Sequence, residues 1–495
     1  MNESHASVDT RRRFVDYRER TTIVRKWLPL LTICLGTFML LVDVTIVNVA
    51  LPDMRHSLGA SFGALQWVVD GYALAMAALL LGAGSIADRA GHRRTYLVSI
   101  GLFVAASLLC GLAPTPTVLV AARIVQGIGA AAMSCTTFAL LNDSYAGRDR
   151  AVAYGLWGAV AGASSAVGPV VGGLLTEVAS WRWIFFVNGP IGVAAMVLCV
   201  VVLPAGRIGR GGRIDAPGML AFSAFAGALT YALIRANERD WSDPVVGWTL
   251  SAAAALLLIF LARERLSAEP MLDLALLRQR AFAGVLIAAI CLYFAAFAAL
   301  MYTQIWMQSV LGMSPIGAGL VGLPLSATAF LVSGTVGRHL HGAPLGRVLG
   351  GGLIVIGAGG VLGALLLGGE SAWWALLPGF VVVGAGVGLT TATLGSAAVA
   401  TVSPERAGMA TGAVNTVQQL GYALGIAALG GVFTGGAQGS PSEHGLPTAA
   451  GAQLTLAISG VAGLLGGAVV FLMLRRGRAT PLPDEPVGAS APITR

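Results

Sequence analysis

The chain is 495 residues long, with 56% hydrophobic residues, only 11% charged residues and a mean hydropathy of +0.79. So few charged residues could not cover the surface of a large soluble protein, which excludes a large globular enzyme. The net charge of +8 does not indicate nucleic-acid binding, because the arginines lie in short gaps between apolar runs and form neither a basic tail nor one basic face.

Fourteen apolar segments are each long enough to cross a membrane as an α-helix, which takes about 20 residues. In chain order they cover residues 28–51, 64–86, 95–113, 117–141, 152–176, 184–203, 216–234, 245–262, 282–306, 315–336, 348–368, 373–400, 408–433 and 452–474. The seventh and eighth segments are the weakest, at 18–19 residues each. No cleavable signal peptide is recognised before the first segment, so this segment is predicted to remain as the first helix.

The basic residues are distributed unevenly between the two sides of the membrane that fourteen spans define. Of the 31 basic residues, 26 fall on the side of the termini, four fall on the opposite side, and Arg123 lies within a span. Because basic loops stay in the cytoplasm, both termini are predicted to be cytoplasmic and the protein to lie in the inner membrane. Removing the seventh and eighth spans together would preserve this pattern, so charge alone does not separate twelve spans from fourteen. Their uncharged apolar runs favour fourteen.

Three ionisable residues lie inside the first, second and fourth spans, namely Asp43, Asp70 and Arg123. Asp43 and Arg123 are predicted about 12 Å and about 9 Å from the outer ends of their spans, and Asp70 at a similar depth. A carboxylate in an apolar helix costs about 2.5–3.5 kcal/mol to insert, so a partner or a function is expected. One hypothesis is that Asp43 exchanges a proton while Arg123 biases its ionisation. The alternative is a static ion pair that guides helix packing, and Asp70 could simply lie near the outer interface.

Small residues form a stripe along the fifth span, at the three- and four-residue spacing of one helix face. They are Gly155, Gly158, Gly162, Ser165, Pro169 and Gly172. Pro169 removes a backbone donor and is expected to bend the helix. A bendable, close-packed helix suits a gate, although ordinary helix packing explains the glycines equally well.

Two pairs of segments look like diverged copies of each other. The inner loop 84–94 is similar to 334–342, and a Gly-x-Gly at Gly127 in the fourth span recurs at Gly384 in the twelfth. Such a repeat predicts two six-helix bundles flanking an extra helix pair, with a substrate path at their interface. The predicted parts are a cytoplasmic tail (1–26), an N-terminal six-helix bundle (27–204), the extra helix pair with its loops (205–270), a C-terminal six-helix bundle (271–475) and a second cytoplasmic tail (476–495).

Several motifs occur together along the chain. In order they are Leu41-Val-Asp43-Val-Thr45-Ile-Val-Asn48-Val-Ala-Leu-Pro52, Gly84-x-x-x-Asp88-Arg89-x-Gly91-His92-Arg93, Arg123-x-x-Gln126-Gly127-x-Gly129, Gly168-Pro169-x-x-Gly172-Gly173, Trp181-Arg182-Trp183-Ile-Phe-Phe-Val-Asn188-Gly-Pro190 and Pro404-Glu405-Arg406-x-Gly408-Met-Ala-x-Gly412. With these motifs the chain resembles the major facilitator superfamily, specifically its fourteen-helix drug:proton antiporter branch. The resemblance extends from about residue 30 to residue 474.

The resemblance implies an all-α membrane protein with the major facilitator fold, in which two six-helix bundles are joined by two extra central helices. The roles it implies are proton coupling (Asp43, Arg123), proton or substrate contact (Asp70, Gln126, Asn48), a conformational inner-loop motif (Gly84, Asp88, Arg89, Gly91, Arg93) and a gate or antiporter motif (Gly168, Pro169, Gly172, Gly173). His92 stands where the family usually has arginine, which lowers the positive charge of the loop. The loop arginines also fit simple anchoring on the cytoplasmic side, whereas the resemblance implies that Asp88 bridges helix ends between the bundles.

The sequence lacks the signatures of an ATP motor and of a catalytic centre. The single lysine, Lys26, follows Arg25 and not a glycine, so there is no Walker A loop. The six histidines fall in tails and loops. We therefore expect no enzyme activity, no cofactor, no metal, no ATP and no nucleic acid. The expected partners are a small lipophilic substrate, protons and the lipid bilayer.

The interpretation favoured by these features is proton-coupled efflux of lipophilic, in some cases cationic, drugs or antibiotics across the cytoplasmic membrane by alternating access. One alternative is a dedicated exporter of a single endogenous metabolite. A second alternative, from another class, is a non-transporting membrane sensor or scaffold on the same fold. The sequence has no sizeable soluble domain through which such a sensor would signal.

Overall fold

A computed structural model describes residues 3–203, 215–267, 273–339, 343–368, 372–403, 406–435 and 448–474. It describes the backbone without the side chain at residues 3–25, 81–85, 88, 148, 151, 165–166, 216, 336–339, 407–408 and 435. Regular secondary structure within these ranges is helical throughout.

The helices follow the apolar segments in chain order. They are α1 (Glu3–Leu58), α2 (Phe62–Ala90), α3 (His92–Leu112), α4 (Pro116–Ser144), α5 (Gly147–Val178), α6 (Trp183–Phe186), α7 (Asn188–Val202), α8 (Ala216–Arg239), α9 (Pro244–Leu266), α10 (Leu274–Leu277), α11 (Arg280–Leu292), α12 (Ala299–Ser309), α13 (Pro315–Val321), α14 (Leu323–His339), α15 (Leu345–Leu366), α16 (Leu376–Ala400), α17 (Ala407–Gly435) and α18 (Ala449–Leu474). A π-helical turn, Tyr293–Ala298, joins α11 to α12, so the three form one span.

Local capping chemistry fixes several helix starts. The side chains of Ser61, Thr115 and Asp215 each accept a hydrogen bond from the backbone N–H three residues further on, at the starts of α2, α4 and α8. These side chains satisfy backbone donors that the first helical turn leaves without an internal partner. Pro116 follows Thr115 in the first turn of α4, where its missing N–H costs nothing.

Fourteen helical stretches among the described residues are long and apolar enough to span a membrane, which confirms the predicted number. α8 and α9, whose existence the charge distribution leaves open, are 24 and 23 residues long. Both extend beyond the sequence-based boundaries, which stop just before Arg235 and Arg263. A long basic side chain is tolerated in the last turns of a span because its charged end reaches water while its stem lies along apolar surface.

The helix that carries Asp43 is longer than predicted. Pro52 lies inside α1 without ending it, and the helix continues to Leu58, beyond the predicted end at residue 51. Asp43 lies near the middle of the helical stretch Lys26–Leu58, which is longer than the roughly 20 residues that a membrane requires.

The helices form two bundles. α1–α7 make up the first, in which α2 and α3 pack along α4 and α1 packs along α5, and α11–α18 make up the second, in which α15 packs between α16 and α18. The bundles meet where α2 packs on α17 and α5 on α13 and α14, while α8 contacts both α2 and α17. Following the predicted orientation, the face that carries the α1–α2 connection (residues 59–61) is called the outer face, and the face with the α2–α3 connection is called the inner face.

Candidate functional site

Asp43 lies at the centre of a hydrogen-bonded network inside the first bundle. Its Oδ2 accepts from Arg123 Nη1 at 2.5 Å, and its Oδ1 accepts from Gln126 Nε2 at 2.8 Å and from Asn188 Nδ2 at 3.0 Å. Gln126 Oε1 in turn accepts from Arg123 Nη1 at 2.7 Å, which closes a triangle of three side chains. Each member of the network is at most 1% exposed, so in this conformation the carboxylate does not contact water.

The guanidinium of Arg123 has further partners on α2. Its Nε donates to the backbone carbonyl of Val68 at 3.0 Å, and its central carbon lies 4.2 Å from the centroid of the Tyr72 ring. A cation over the face of an aromatic ring is attracted by the ring's quadrupole. A buried ion pair offsets the cost of leaving water only when its remaining polar groups are also satisfied, and this pair meets that condition.

Two glycines of α4 set the position of Arg123. A Cβ on Gly127 would lie 2.5 Å from the carbonyl oxygen of Tyr72 on α2, and a Cβ on Gly129 would lie 2.9 Å from the backbone nitrogen of Phe103 on α3. Small residues of this kind let helix backbones approach closely in a membrane. α4 therefore passes between α2 and α3 at backbone contact, and Arg123 is held where it reaches Asp43.

Asn188 and Ser107 belong to the network and were not predicted as site residues. Asn188 Nδ2 donates to Ser107 Oγ at 2.9 Å as well as to Asp43, and Ser107 Oγ donates to the carbonyl of Phe185 at 2.9 Å. The available signal was the polar Asn188 near the start of an otherwise apolar span, within one of the motifs. Its spacing along the helix did not show that it faces Asp43.

Asp70 lies in a different environment from Asp43. The residue is fully buried on α2, and among the described residues neither of its carboxyl oxygens has a hydrogen-bond partner. Tyr302 on α12 and Tyr422 on α17 lie within electrostatic range of it, and Tyr422 is also within range of Arg123. The surroundings of Asp70 therefore include residues of the second bundle, whereas the three donors to Asp43 all belong to the first.

Polar side chains join the two bundles in the middle and the outer half of their interface. Asn48 Nδ2 on α1 donates to the Tyr422 hydroxyl at 3.2 Å. Gln66 Nε2 on α2 donates to the Tyr302 hydroxyl and to the carbonyl of Ile426, both at 2.9 Å. The Tyr302 hydroxyl also donates to the Ile426 carbonyl. These bonds close the outer side of the interface, and two of their members, Gln66 and Tyr422, were not predicted as site residues.

The inner-loop motif makes a tight turn at Gly91 between α2 and α3. Gly91 has a φ of 87°, a conformation that favours glycine. His92 Nδ1 lies 2.8 Å from Asp143 Oδ2 at the inner end of α4, and Arg93 Nη2 donates to the carbonyl of Val200 on α7 at 2.5 Å. His92, which departs from the family pattern, thus contacts a carboxylate, and both residues tie the loop to its own bundle.

The other members of this motif belong to the helix before the turn. Gly84, Asp88 and Arg89 lie in the last turns of α2. The surroundings of Gly84 and the side chain of Asp88 lie outside the part of the chain that the structure describes. A bridge from Asp88 to the second bundle therefore remains a prediction.

The gate motif on α5 contacts α1 through Gly168 and Gly172. A Cβ on Gly168 would collide with the side chain of Thr45, and a Cβ on Gly172 would lie 2.8 Å from Ile46 Cγ1. Thr45 and Ile46 follow Asp43 on α1 by two and three residues. The motif therefore holds α5 against the part of α1 that contains the buried carboxylate.

The same motif contacts the second bundle on the opposite side of α5. A Cβ on Gly173 would lie 2.5 Å from the carbonyl oxygen of Pro315 on α13, and a Cβ on Gly319 would lie 2.5 Å from the carbonyl oxygen of Pro169. Among the described residues, nothing lies within 4 Å of the corresponding position on Gly158, further toward the inner face. The small-residue stripe of α5 is thus in backbone contact at its outer part and not along its whole length.

A family model described as Major Facilitator Superfamily matches residues 33–426, which include the Asp43 network and the contact between α5 and α13. The chain belongs to the Major Facilitator Superfamily. It is a membrane transporter and not an enzyme.

Several characterised members of the superfamily are similar in sequence. Multidrug resistance protein Stp of Mycobacterium tuberculosis is 38% identical over 414 residues, which cover 82% of this chain and 75% of that protein. Puromycin resistance protein pur8 of Streptomyces alboniger is 33% identical over 480 residues, 95% of each chain. The probable actinorhodin transporter of Streptomyces coelicolor is 35% identical over 428 residues, 83% of this chain and 73% of that protein. The chain therefore belongs with the drug and antibiotic exporters of the superfamily, which confirms the resemblance.

A solved structure of the same fold is a peptide transporter POT mutant in complex with alafosfalin. It covers 90% of this chain and 94% of its own, with a TM-score of 0.66 and 14% sequence identity. At this identity the similarity concerns the fold alone, and it confirms the predicted major facilitator architecture.

The contact between α5 and α13 leads to a first prediction, with Gly173→Ala as the change. Because the new Cβ would lie 2.5 Å from a backbone carbonyl that cannot rotate away, we expect it to destabilise the outer-closed conformation by about 1–3 kcal/mol and to lower the efflux rate. The measurement is the initial rate of drug uptake into inverted membrane vesicles, normalised to the amount of transporter. Gly158→Ala on the same helix is the matched control, and equal rates for the two variants would contradict the prediction.

Proposed function

We propose that this transporter exports a lipophilic small molecule, in some cases cationic, in exchange for protons, by alternating access between the bundles 27–204 and 271–475. We further propose that it does so in the cytoplasmic membrane with both termini in the cytoplasm. The observation that carries the proposal is Asp70, a carboxyl group buried at the bundle interface without a hydrogen-bond partner in the part of the chain that the structure describes. Relatives named for multidrug and puromycin resistance support a drug or antibiotic as the substrate.

Asp70 is the group that holds a proton in this conformation. An ionised carboxylate enclosed without a donor or a cation is strongly unfavourable, and such groups take up a proton instead. Tyr302 and Tyr422 near Asp70 belong to the second bundle. A movement of the bundles that opens the interface would admit water to Asp70, and hydration favours release of the proton.

Asp43 and Arg123 are proposed to take part, together with Asp70, in coupling proton movement to transport. Asp43 accepts hydrogen bonds from the guanidinium at 2.5 Å and from two amide donors, and the whole network is enclosed in the bundle. The hydroxyl of Tyr422 accepts a hydrogen bond from Asn48 on the same helix as Asp43, so it links this helix to the second bundle. Proton exchange at Asp43 requires a conformation that brings water to this network.

The substrate path is proposed to pass the π-helical turn of the ninth span. Tyr293 and Phe297 in this turn stack with ring centroids 4.7 Å apart, and Tyr293 makes an edge contact with Tyr422 at 6.4 Å. π-Helical turns occur frequently at functional sites. Stacked aromatic rings suit a lipophilic molecule, and their faces can attract a cationic group.

The proton gradient is sufficient for such transport. One proton is worth about 2.3 kcal/mol per 100 mV of membrane potential and about 1.4 kcal/mol per pH unit. At about 100 mV and half a pH unit this amounts to about 3 kcal/mol, or roughly a 150-fold gradient of a neutral substrate at one proton per molecule.

The direct test is uptake of ethidium, and of a panel of neutral antibiotics, into energised inverted vesicles. We expect uptake of at least one compound that a proton uncoupler abolishes, because the uncoupler removes the driving force. Vesicles without the transporter are the control. Transport that is indifferent to the uncoupler would contradict proton coupling, and no transport of any compound would contradict the proposed substrate class.

A second candidate is a dedicated exporter of one metabolite. The probable actinorhodin transporter among the relatives is named for a single compound, which favours this narrower function. The same panel separates the two candidates, because a dedicated exporter would move one compound and ignore chemically unrelated ones. A location of the gene beside biosynthetic genes would further support the narrower function.

A further inference from the structure

The first helix of the extra pair, α8, lies against both bundles at the outer face. It packs along α9 and contacts α2 of the first bundle and α17 of the second. The family fold accounts for two six-helix bundles, and the function proposed above uses neither α8 nor α9. The contacts that α8 makes across the interface are therefore without an assigned role.

Asn237, near the outer end of α8, reaches the second bundle. Its Nδ2 donates to the carbonyl of Ala427 on α17 at 2.5 Å. A Cβ on Gly431, one turn further along α17, would collide with Asn237 Oδ1 and lie 2.6 Å from Asn237 Cγ. The amide of Asn237 thus occupies a notch on α17 that exists because residue 431 has no side chain.

Gln66 of α2 makes the same kind of contact one residue earlier on α17. Its Nε2 donates to the carbonyl of Ile426 at 2.9 Å, and a Cβ on Gly430 would collide with this amide. One amide side chain from α2 and one from α8 therefore donate to consecutive carbonyls of α17. Each amide also lies against one of two consecutive glycines of α17. α2 belongs to the interface that closes the outer side, and α8 repeats its contact.

The residue after Asn237 attaches α8 to the first bundle. The hydroxyl of Ser61, which caps α2, donates to Glu238 Oε1 at 3.4 Å, and a Cβ on Gly63 would lie 2.6 Å from Glu238 Cδ. Neighbouring residues at the end of α8 thus contact different bundles, Asn237 the second and Glu238 the first.

We propose that α8 is part of the outer gate. Through Glu238 and Asn237 it holds α2 to α17 in the outer-closed conformation, and the bond from Asn237 to Ala427 breaks when the outer side opens. Asn237 is accordingly a positioning residue for the transport cycle and not a substrate contact. The inference rests on the alternating-access part of the proposed function, but its test needs no substrate.

The test is hydrogen–deuterium exchange of the full chain in lipid nanodiscs, with Asn237→Leu as the first variant. Loss of one hydrogen bond of ordinary strength shifts an equilibrium about three- to tenfold. We therefore expect amide exchange to rise about three- to tenfold at the outer ends of α5 and α13 (residues 167–178 and 315–321). These segments form the other half of the outer closure, and α8 does not pack against them.

A matched control is Gln453→Leu. Gln453 Nε2 on α18 donates to the carbonyl of Ala364 on α15 at 2.9 Å, so it is also an amide-to-carbonyl bond near the outer face, but within one bundle. We expect this variant to leave exchange in α5 and α13 unchanged. An equal rise in both variants, or a rise in Asn237→Leu confined to α8 and α9, would overturn the inference.

A second variant keeps the test decisive if Asn237→Leu does not fold. Gly431→Ala leaves Asn237 intact and displaces it from α17, so it is expected to raise exchange in α5 and α13 as well. Gly227→Ala on α8, where nothing lies within 4 Å of the new Cβ, is its control. Efflux assays of the unaltered protein remain separate, so failure of proton-coupled transport and failure of the α8 gate give different results.

Discussion

Asp43→Asn is expected to abolish proton-coupled efflux and to destabilise the folded transporter. The substitution removes the negative charge that lies 2.5 Å from Arg123, and Arg123 is only 1% exposed. Removing one partner of a buried ion pair costs about 3–5 kcal/mol, because the other charge stays buried without compensation. Asparagine also lacks a titratable proton, so drug movement should no longer be accompanied by proton movement.

The measurement is drug-driven proton movement in inverted vesicles containing Asp43→Asn, followed with a pH-sensitive dye, together with thermal unfolding in detergent. Asp149→Asn is the control, because Asp149 pairs with Lys26 at 2.8 Å with both side chains almost half exposed. Exposed pairs contribute about 0–1 kcal/mol, so this control is expected to behave as the unaltered protein. Full coupling in Asp43→Asn would exclude Asp43 from the proton pathway.

Asp70→Asn is expected to have an equally large effect on coupling with little effect on stability. Asparagine has nearly the shape of a protonated aspartic acid, which is the form proposed for Asp70 in this conformation. Folding should therefore change by no more than about 1 kcal/mol, within the range of volume-conserving substitutions. Coupled efflux should fall by at least about tenfold, because a side chain that takes up and releases a proton contributes at least this factor to the rate of a proton-transfer step.

The two acids are separated by measuring efflux against pH and thermal unfolding in the same preparations. Asp70→Asn should give a flat pH dependence and a melting temperature near that of the unaltered protein, whereas Asp43→Asn should lower the melting temperature. Asp53→Asn, at a half-buried acid toward the outer end of α1, is the control for changing any acid in this region. An unchanged pH dependence in Asp70→Asn would show that Asp70 takes no part in proton exchange.

Sequence alone predicted some members of the network around Asp43 but not all of them. Asp43 and Arg123 could be paired because charged residues are rare in spans, and their depth follows from the rise per residue. Gln126 follows Arg123 by three residues and so lies on the same helix face. Asn188 and Gln66 were missed because spans that are apolar all round carry no amphipathic pattern to show which side faces a neighbour.

The difference between Asp43 and Asp70 is a further limit of the sequence. Both are single acids in apolar helices at similar predicted depth, yet one accepts three hydrogen bonds and the other accepts none. The distinction depends on the rotation of α1 and α2 about their axes, which is set by contacts such as Gly127 against Tyr72. The position of α8 between the bundles depends likewise on tertiary packing and not on any local pattern.

The backbone contact between α5 and α13 has a mechanical consequence. Gly173 and Gly319 each face a carbonyl oxygen of the opposite helix, so no side chain interlocks the two surfaces at these points. At these two glycines parting the helices loses dispersion contacts, each worth about 0.1–0.2 kcal/mol, and beside them it breaks one hydrogen bond, from the Ile316 N–H to Glu177 Oε2 at 3.4 Å. The two helices can therefore slide and separate in every transport cycle at a small cost, whereas interdigitated side chains would first have to change rotamer.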